Sequence, residues 1–473
     1  MDRRQFLAGS GAVALALAAP GARAAVEPTV LRIVNRTLDV RGKAAKAFGL
    51  LGPDGKPGLS LDAEAPFAVS LKSEIAEPTL VHWHGLTPPW PQDGVPDNPA
   101  PMLAPGAVRA YDFPLRESGT FWMHAHTMQE QALLAAPLIV RTAAERAADA
   151  LDTTLFLHDF SFTPAEALLD TLRKRGGMAG MAGMGHGGGM GGMAGMGQDG
   201  GMAGMTMDAN DVDYDAYLAN DRTLDDPQVT RVAPGHAVRL RVINAAAATA
   251  FILDLGALAA RLVAVDGQAV VPLAVSRVPI GMGQRVDLAF VMPRAGGAFP
   301  VLALREGARA RTGIVFASPG AAVAKIADAG TTAAPRVDLA VERRLRALEA
   351  PPAATGPARR VDVTLGGDMK GYSWSVAGAE DLAVKRGERI EIAMRNMSPM
   401  MHPMHLHGHR FQVVGIDGRR LSGAMRDTVN VPPMARVAIA FEADNPGHWP
   451  FHCHNLYHMM SGMMGYVSYP GAA

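Results

Sequence analysis

Cysteine is almost absent from this chain: Cys453 is the single thiol among 473 residues. One thiol excludes any disulfide within the chain, so a disulfide framework cannot define its fold. An excess of charge is missing too, because lysine plus arginine and aspartate plus glutamate each number 45. Without a basic surplus, neither nucleic acid nor an anionic membrane surface is expected as a partner.

Long hydrophobic runs are also missing, so no membrane span is expected. Residues 1–24, MDRRQFLAGSGAVALALAAPGARA, contain an Arg3-Arg4 pair, an apolar stretch and a final A-x-A pattern. The apolar stretch has about ten residues, which is too few to cross a bilayer. This combination is typical of a twin-arginine signal peptide removed after Ala24, and it predicts a periplasmic protein exported in the folded state.

Glycine and proline are plentiful, at 52 and 34 residues, which suits a turn-rich all-β protein better than a helical bundle. Runs in which apolar and polar residues alternate have the period of half-buried strands. These runs are 31–38, 67–73, 79–85, 237–244, 260–267, 285–292, 389–396 and 436–444. Two helices are predicted near 144–151 and 162–176, the second capped by Thr163 with Pro164 at its first position.

Internal repetition suggests how the chain divides. The segments 234–244 and 386–396 resemble one another, and 65–75 is a weaker copy. Recurrence of this kind predicts three related β-sandwich units. The expected parts are a first domain at 25–150, a second at 151–345, a Pro/Ala-rich linker at 346–360 and a third domain at 361–473.

Residues 176–207 form a low-complexity insertion in the second unit and hold nine of the chain's 27 methionines. The segment cannot pack a core and is expected to be disordered without a ligand. Thioethers are soft ligands that prefer Cu(I), so these methionines are candidate Cu(I) ligands, with flexible filler as the alternative. They are Met178, Met181, Met184, Met190, Met193, Met196, Met202, Met205 and Met207.

Histidine is clustered, because the pattern H-x-H occurs five times among only 15 histidines. Residues i and i+2 of a strand point to the same face, so each pattern presents two imidazoles side by side. Imidazole binds copper, zinc, iron and nickel, so the repetition predicts a metal centre. The patterns are His82/His84, His124/His126, His405/His407, His407/His409 and His452/His454.

The residues around Cys453 indicate which metal is bound. His402 and His458 supply two imidazoles beside the thiolate, and Met463 supplies a weak axial thioether. Two histidines, a cysteine and a distant methionine form a blue-copper electron-transfer site, whereas zinc needs no thioether. The histidines on either side of Cys453 project to the opposite face of the strand. With the other paired histidines they make eight imidazoles, enough for three more coppers.

Four segments in this order resemble the multicopper oxidase family: HWHG (82–85), GTFWMHAHT (119–127), HPMHLHGH (402–409) and HCHNLYHMMSGM (452–463). The resemblance spans the chain after residue 24. It implies an all-β fold of three consecutive cupredoxin-like Greek-key β-sandwich domains. Segments 119–140 and 452–463 look most like the bacterial periplasmic branch of copper-resistance, cuprous oxidase and laccase-like proteins.

The resemblance also implies four copper ions and their ligands. The type 1 copper takes His402, Cys453, His458 and Met463, and the type 2 copper takes His82 and His405. The type 3 pair takes His84, His124, His126, His407, His452 and His454. Electrons pass from the type 1 copper through Cys453 to His452 and His454, and O₂ is reduced to water. The other histidines, His158, His186, His236, His409 and His448, are expected to be structural or superficial.

Three further positions bear on proton and substrate chemistry. Asp93 matches an acidic residue of relatives, and the resemblance implies that it donates protons during O₂ reduction; an ordinary turn aspartate is the alternative. Met459 stands where some relatives have a proton-delivering glutamate. Ser398 stands where cuprous oxidases with a methionine-rich lid often have an acidic residue. Both departures argue against a direct copy of those proton and Cu(I) sites.

The leading hypothesis is a monomeric, exported copper-tolerance oxidase that converts Cu(I) to Cu(II), with segment 176–207 collecting Cu(I) and gating the type 1 copper. Met400 is a further candidate Cu(I) ligand. It belongs to a group that is either substrate contacts or core filling: Met397, Met400, Met401, Met404, Met459, Met460 and Met464. One alternative is a laccase-like oxidase of phenols with an open pocket at His402 and His458. Another is a non-catalytic periplasmic copper-binding protein.

Overall fold

Strands dominate the computed structural model, which describes residues 27–182, 209–349 and 356–471, and their side chains except those of 175–182. Over these residues the chain forms six sheets, two from each of three consecutive stretches. This architecture confirms the predicted all-β fold of three β-sandwiches. The predicted signal peptide, 1–24, lies outside the described residues. Within the described part of the chain, no helix has both the length and the apolar character needed to cross a bilayer.

The first sandwich contains eight strands. They are β1 (Thr29–Val40), β2 (Lys43–Leu51), β3 (Leu59–Asp62), β4 (Phe67–Ser73), β5 (Val81–His84), β6 (Val108–Phe113), β7 (Gly119–Ala125) and β8 (Ala135–Arg141). One sheet has the order β2-β1-β4-β6 and the other β3-β8-β7-β5. Short 3-10 helices lie at Trp90–Gln92 and Met128–Glu130.

The second sandwich follows helix α1 (Ala143–Ala147). It comprises β9 (Leu151–Phe160), helix α2 (Ala165–Ala182), β10 (Ala216–Ala219), β11 (Val229–Arg231), β12 (Ala237–Asn244), β13 (Phe251–Asp254), β14 (Ala260–Val265), β15 (Gln268–Val275), β16 (Arg277–Ile280), β17 (Arg285–Val291), β18 (Ala298–Arg305) and β19 (Arg311–Ala317). Its sheets have the orders β10-β9-β12-β17-β14-β15 and β11-β19-β18-β13-β16. A 3-10 helix lies at Glu342–Arg344.

The third sandwich contains the remaining strands and the one-turn helix α3. They are β20 (Arg359–Asp368), β21 (Ser373–Ala377), β22 (Leu382–Ala383), β23 (Arg389–Asn396), β24 (His402–Leu406), β25 (Phe411–Ile416), β26 (Arg419–Arg420), β27 (Met425–Arg426), β28 (Thr428–Val431), β29 (Arg436–Glu442), β30 (His448–Cys453), α3 (Leu456–Met459) and β31 (Met464–Ser468). One sheet has the order β21-β20-β23-β29-β25-β26, with β27 on β25, and the other β22-β31-β30-β24-β28.

The eight predicted strand runs all fall on strands, but both predicted helices have different limits. Helix α1 begins at the Thr142 cap and ends at Ala147, because Ala148 is extended and Leu151 already starts β9. Helix α2 continues to Ala182. The expected disorder of segment 176–207 is therefore wrong for residues 176–182, which continue helix α2 although three of the seven are glycine, a poor helix former. The rest of that segment lies outside the described residues.

The predicted linker, 346–360, is hydrogen-bonded at its start and belongs to a strand at its end. Leu348 N donates to Ala269 O at 3.0 Å, and Ala347 N donates to Gly423 O at 3.4 Å. Arg359 begins β20. Residues 350–355 lie outside the described part of the chain, and the proposed domain limits remain predictions.

Strand β5, with the sequence VHWH, shows how alternation positions the histidines. All four residues of the strand are buried. Trp83 points into the core of the first sandwich, where its ring lies 4.8 Å from the rings of Phe67 and Tyr111. Burying such a side chain contributes about 2–3 kcal/mol, which fixes the orientation of the strand. His82 and His84 consequently point to the other face, away from this core.

Arg285, at the start of β17, joins all three sandwiches. Its two terminal nitrogens donate to Asp427 Oδ1 and Oδ2 at 2.7 and 2.5 Å, and its Nε donates to Thr120 O at 3.1 Å. Burial raises the pKa of Asp427, but the Arg285 guanidinium outweighs burial and holds that pKa well below its usual value. A β-carbon at Gly85, whose φ is +89°, would lie 2.4 Å from the Arg285 side chain, so this approach requires glycine.

We expect Arg285→Met to destabilise the protein by about 3–5 kcal/mol, because it leaves the buried Asp427 carboxylate without a counter-charge. Arg277→Met is the matched control, since the Arg277–Asp254 pair lies at the surface with the Arg277 side chain 58% exposed. The control should lose less than about 1 kcal/mol. Thermal unfolding of both variants measures the difference, and equal losses would contradict the bridging role of Arg285.

Candidate metal centre

The four predicted H-x-H segments lie on two pairs of antiparallel strands. In the first sandwich β5 pairs with β7, which places His82 opposite His124. In the third sandwich β24 pairs with β30, which places His405 opposite His452. These two strand pairs face one another, so the metal centre is shared between the first and third sandwiches.

Eight histidines form one buried group, here called the histidine cluster. No member is more than 8% exposed. Rings from the two sandwiches stack closely: the His84 and His405 centroids are 3.8 Å apart, and the His82 and His407 centroids 3.9 Å apart. The members are His82, His84, His124, His126, His405, His407, His452 and His454. They are the eight that the sequence predicted for the trinuclear copper site.

Donor atoms in the cluster are close enough for several ions. Ligand atoms lie within 4.8 Å of one another in three overlapping sets. These sets are His82/His405/His407, His82/His84/His124 and His126/His407/His452. His407 Nε2 and His452 Nε2, for example, are 2.9 Å apart. Such a concentration of imidazole nitrogens fits a centre of more than one metal.

In several cluster histidines, one ring nitrogen contacts a protein oxygen outside the cluster, and the other ring nitrogen has no hydrogen-bond partner. His82 Nδ1 lies 3.0 Å from Asp93 O, His405 Nδ1 lies 2.9 Å from Asp427 O, and His124 Nδ1 lies 2.9 Å from Glu130 Oε2. The opposite nitrogens have no protein partner: His82 Nε2, His84 Nδ1, His124 Nε2, His405 Nε2 and His454 Nε2. Outer hydrogen bonds fix the orientation of a metal-binding imidazole, and buried free nitrogens are what a metal would satisfy.

The cluster favours uncharged imidazoles. Burial, aided by the neighbouring histidines, lowers the pKa of His84, His124, His126, His407 and His454 well below the ordinary value. Burial also lowers the pKa of His452 to about 3. Neutral imidazole is the form that binds metal. At neutral pH the cluster histidines are therefore in the uncharged form that can bind a metal ion.

A second group, here called the cysteine site, lies on the other side of β30. His402 Nδ1 and His458 Nδ1 are 3.2 Å apart and lie 3.6 and 3.7 Å from Cys453 Sγ. Met463 is fully buried, and its backbone oxygen accepts a hydrogen bond from Cys453 N at 3.0 Å. Burial raises the pKa of the Cys453 thiol, while the Asn455 N–H lowers it. A bound cation would stabilise the thiolate.

Local sequence brings His458 back to Cys453. After β30, the Asn455 side chain caps α3 and accepts hydrogen bonds from Tyr457 N and His458 N at 3.1 and 3.3 Å. This single turn of helix directs His458 toward the thiol. His452 and His454, the neighbours of Cys453, belong to the histidine cluster. The two groups are therefore joined through one cysteine and its backbone.

Asp93 lies against the histidine cluster and is fully buried. Its Oδ2 is 2.8 Å from His407 Nδ1, and its Oδ1 is 3.2 Å from His82 Nδ1. It thus touches one histidine from each of the two sandwiches. Its role in proton transfer remains a prediction.

Three carboxylates near these groups were missed by sequence reasoning. Asp427 Oδ1 is 3.2 Å from His84 Nε2, Glu130 contacts His124, and Asp211 Oδ2 is 3.0 Å from His458 Nε2. Burial, reinforced by Asp159, raises the pKa of Glu130 well above its usual value. Only Glu130 could have been suspected from the sequence, because it lies six residues after the histidine that it contacts, His124. The others are brought in by tertiary structure.

The two positions that depart from relatives are buried. Ser398 Oγ is 2.5 Å from His402 Nε2, so a hydroxyl occupies the outer edge of that ring. Met459 packs with Ala247 and Leu456 and is 8% exposed.

Of the five other histidines, His186 lies outside the described residues, and three of the remaining four have side-chain contacts. His158 Nδ1 is 3.1 Å from Ala245 O, His409 Nε2 is 2.6 Å from Tyr469 Oη, and His448 stacks on Tyr466.

The predicted substrate methionines are only partly described. Met178 and Met181 lie on helix α2. The predicted positions from Met184 to Met207 lie outside the described residues. Met400 is 4% exposed and packs in the core shared by the second and third sandwiches, which favours the packing alternative for that residue.

Sequence comparison now identifies the family. Multicopper oxidase family profiles match residues 42–145, 152–318 and 352–471. The chain is 31% identical over 421 residues to the multicopper oxidase MmcO of Mycobacterium tuberculosis, covering 85% of this chain and 79% of that protein. The chain belongs to the multicopper oxidase family. The oxidase is therefore a copper-dependent oxidoreductase that uses O₂ as acceptor.

Two further similarities are informative. The oxidase is 25% identical to copper resistance protein A of Pseudomonas syringae pv. tomato over 559 residues, covering 92% of this chain and 91% of that protein. It superposes on the crystal structure of a laccase from Botrytis aclada with a TM-score of 0.73 and 20% identity, covering 95% and 90% of the two chains. The second similarity shows the shared fold alone.

The copper-free oxidase should lose stability as the pH falls below about 6.5, the ordinary pKa of histidine. Its buried histidines have lowered pKa values, to about 3 for His452, so below pH 6.5 the unfolded chain binds more protons than the folded one. Each such histidine costs about 1 kcal/mol per pH unit. Melting temperatures of the copper-free protein from pH 7 to pH 4 measure this effect.

Four buried carboxyls with raised pKa values, Glu130, Asp159, Asp266 and Glu306, act in the opposite sense. The histidines with lowered pKa values outnumber them, so the melting temperature should still fall. Copper-loaded protein is the control, because bound copper competes with protons and should reduce the decline. A melting temperature of the copper-free protein that stays constant or rises on acidification would contradict the neutral cluster.

Proposed function

We propose that the oxidase holds four copper ions and oxidises Cu(I) to Cu(II) in copper tolerance. The cysteine site, together with Met463, would hold the type 1 copper. His82 and His405 hold the type 2 copper, and the other six members of the histidine cluster hold the type 3 pair. When bound, these coppers take up single electrons from substrate and deliver four electrons to O₂, which yields two waters with four protons.

The position of the Asp211 carboxylate favours Cu(I) as the substrate. Both rings of the cysteine site are fully buried, and His458 Nε2 lies 3.0 Å from Asp211 Oδ2, although the two atoms do not have hydrogen-bond geometry. Asn455 Nδ2 donates to the same oxygen at 3.0 Å, while Asp211 Oδ1 has no hydrogen-bond partner. A buried carboxylate at the electron-accepting edge favours a cationic donor and disfavours an anionic one.

Two further features support Cu(I) as that cation. The nine methionines of segment 176–207 are soft ligands suited to Cu(I), and the segment ends four residues before Asp211. We propose that it collects Cu(I) for oxidation beside Asp211. The similarity to a copper resistance protein agrees with this function.

The remaining residues have distinct tasks in this proposal. Cys453 carries electrons from the type 1 copper to His452 and His454 along covalent bonds. Asp93 supplies protons at the cluster, since its carboxylate contacts His407 and His82 directly. Twin-arginine export would deliver the folded monomer to the periplasm, where O₂ and copper meet.

A laccase-like activity toward phenols is the alternative. It was expected to use an open pocket at His402 and His458, but both rings have no exposed surface. A phenol would therefore transfer its electron across Ser398 or Asp211. The third possibility, a copper-binding protein without activity, conflicts with membership in an oxidase family and with two candidate sites joined at Cys453.

O₂ uptake with Cu(I) and with a phenol tests the proposal. The unmodified oxidase should consume O₂ with Cu(I), and Asp211→Asn should lower kcat/KM for Cu(I) by about tenfold to a hundredfold, as loss of groups around metal ligands does. Phenol oxidation should fall less, because a neutral donor gains little from the carboxylate. The measurement is steady-state O₂ consumption at a fixed pH.

Asp213→Asn is the matched control, since this neighbouring carboxylate is 85% exposed and pairs with Arg305. Deletion of 176–207 in the same assay should lower Cu(I) turnover. No O₂ uptake with Cu(I) would overturn the proposed function, whereas equal losses for Asp211→Asn with both donors would remove Asp211 from it. Unchanged Cu(I) turnover after the deletion would exclude capture by the methionine segment.

A further inference from the structure

The hydroxyl of Thr428 lies beside histidines from both halves of the histidine cluster. Thr428 begins β28, and its antiparallel register with β24 places it opposite His405. Its Oγ1 is 3.1 Å from His405 Nδ1 in the third sandwich and 3.2 Å from His84 Nε2 in the first. The residue is fully buried. One side chain thus contacts two imidazoles that belong to different sandwiches.

Toward both imidazoles this hydroxyl acts as an acceptor. Thr428 Oγ1 donates its own proton to Asp427 Oδ1 at 2.8 Å, an oxygen that Arg285 also binds. A hydroxyl has one proton and two lone pairs, so the oxygen can still accept two hydrogen bonds. The imidazoles therefore supply the protons, His84 from Nε2 and His405 from Nδ1.

These hydrogen bonds decide which nitrogen of each ring is left for a metal. A neutral imidazole carries one proton, and its other nitrogen has the free lone pair. With Nε2 protonated, His84 offers Nδ1; with Nδ1 protonated, His405 offers Nε2. The same two nitrogens are buried and have no hydrogen-bond partner. The two histidines thus present opposite ring nitrogens, a difference that their spacing in the sequence does not predict.

Contacts with the second sandwich hold Thr428 in place. Gln284 Nε2 donates to Thr428 O at 3.1 Å, and Thr428 N donates to Asp266 Oδ2 at 3.4 Å. Gln284 and Asp266 are themselves buried. Because the backbone of Thr428 is anchored on this third side, its hydroxyl is a fixed reference for the two rings that it contacts.

We propose that Thr428 is a positioning residue of the metal centre, whose hydroxyl fixes the orientation and the tautomer of His84 and His405 together. The inference rests on the proposed function, in which these histidines serve different coppers, one of the type 3 pair and the type 2 ion. Asp427 supports the same rings, since its Oδ1 is 3.2 Å from His84 Nε2 and its backbone oxygen 2.9 Å from His405 Nδ1. Loss of the hydroxyl should therefore weaken copper binding without abolishing it.

Thr428→Val tests this role, because it removes the hydroxyl and keeps the shape of the side chain. Outer hydrogen-bond partners of metal ligands are worth about tenfold to a hundredfold in metal affinity, and the remaining Asp427 contacts favour a loss of about tenfold. The copper that full-length oxidase retains against increasing chelator measures this loss. The type 2 copper signal in electron paramagnetic resonance should change as well. The absorption at about 600 nm should persist, because the cysteine site lies on the other side of β30.

Two further variants separate the hydrogen bonds from packing. Thr428→Ser keeps the hydroxyl and should restore both copper retention and the type 2 signal. Thr312→Val is the matched control, since Thr312 is also fully buried but its hydroxyl has no hydrogen-bond partner. This control should leave copper retention and the type 2 signal unchanged.

Unchanged copper retention in Thr428→Val, or an equal loss in Thr428→Ser, would overturn the positioning role. Loss of the 600 nm absorption in Thr428→Val would contradict an effect confined to the histidine cluster. Neither measurement requires turnover, so failure of the unmodified oxidase to oxidise Cu(I) would overturn the proposed substrate and leave this role standing. Fewer than four coppers in the unmodified oxidase would overturn the proposed copper arrangement, and this role with it.

Discussion

The first and third sandwiches must meet in one relative position, because the histidine cluster is divided between them. The rings of His84 and His405, one from each sandwich, lie 3.8 Å apart, so a shift of about 1 Å would spoil ligand geometry. Arg285 fixes this position from the second sandwich by binding Asp427 in the third and Thr120 in the first. The arrangement of three sandwiches is therefore part of the metal centre.

Burial then gives the centre its chemistry. Imidazoles removed from water stay neutral, and the carboxylates and carbonyls behind them decide which nitrogen faces inward. Successive side chains of strand β30 point to opposite faces, so Cys453 lies in the cysteine site while its neighbours His452 and His454 lie in the histidine cluster. A single strand thus connects the cysteine site with the histidine cluster.

Much of this could be predicted from the sequence, because the decisive pattern is local. Alternation along a strand places His82 and His84 on one face whatever surrounds them, and the same rule separates Cys453 from His452. Asp427 and Asp211 could not be found this way, since each meets its histidine only through contacts between sandwiches. Helix α2 extends to Ala182 through three glycines, an extension that local helix propensity does not predict. Among the described residues, Ser398 and Asp211 cover the outer edges of the His402 and His458 rings, and the open pocket expected there is not found.

In the proposed arrangement, Cys453 binds one copper and its neighbours His452 and His454 bind a separate cluster. The most direct measurement is the copper content and visible spectrum of copper-loaded oxidase and of its Cys453→Ser variant. We expect four coppers and a strong absorption at about 600 nm in the unmodified protein, the signature of a copper–thiolate site. The variant should lose the absorption and one copper, and keep three. Retention of the absorption, or loss of all four coppers together, would contradict this division of the ligands between two sites.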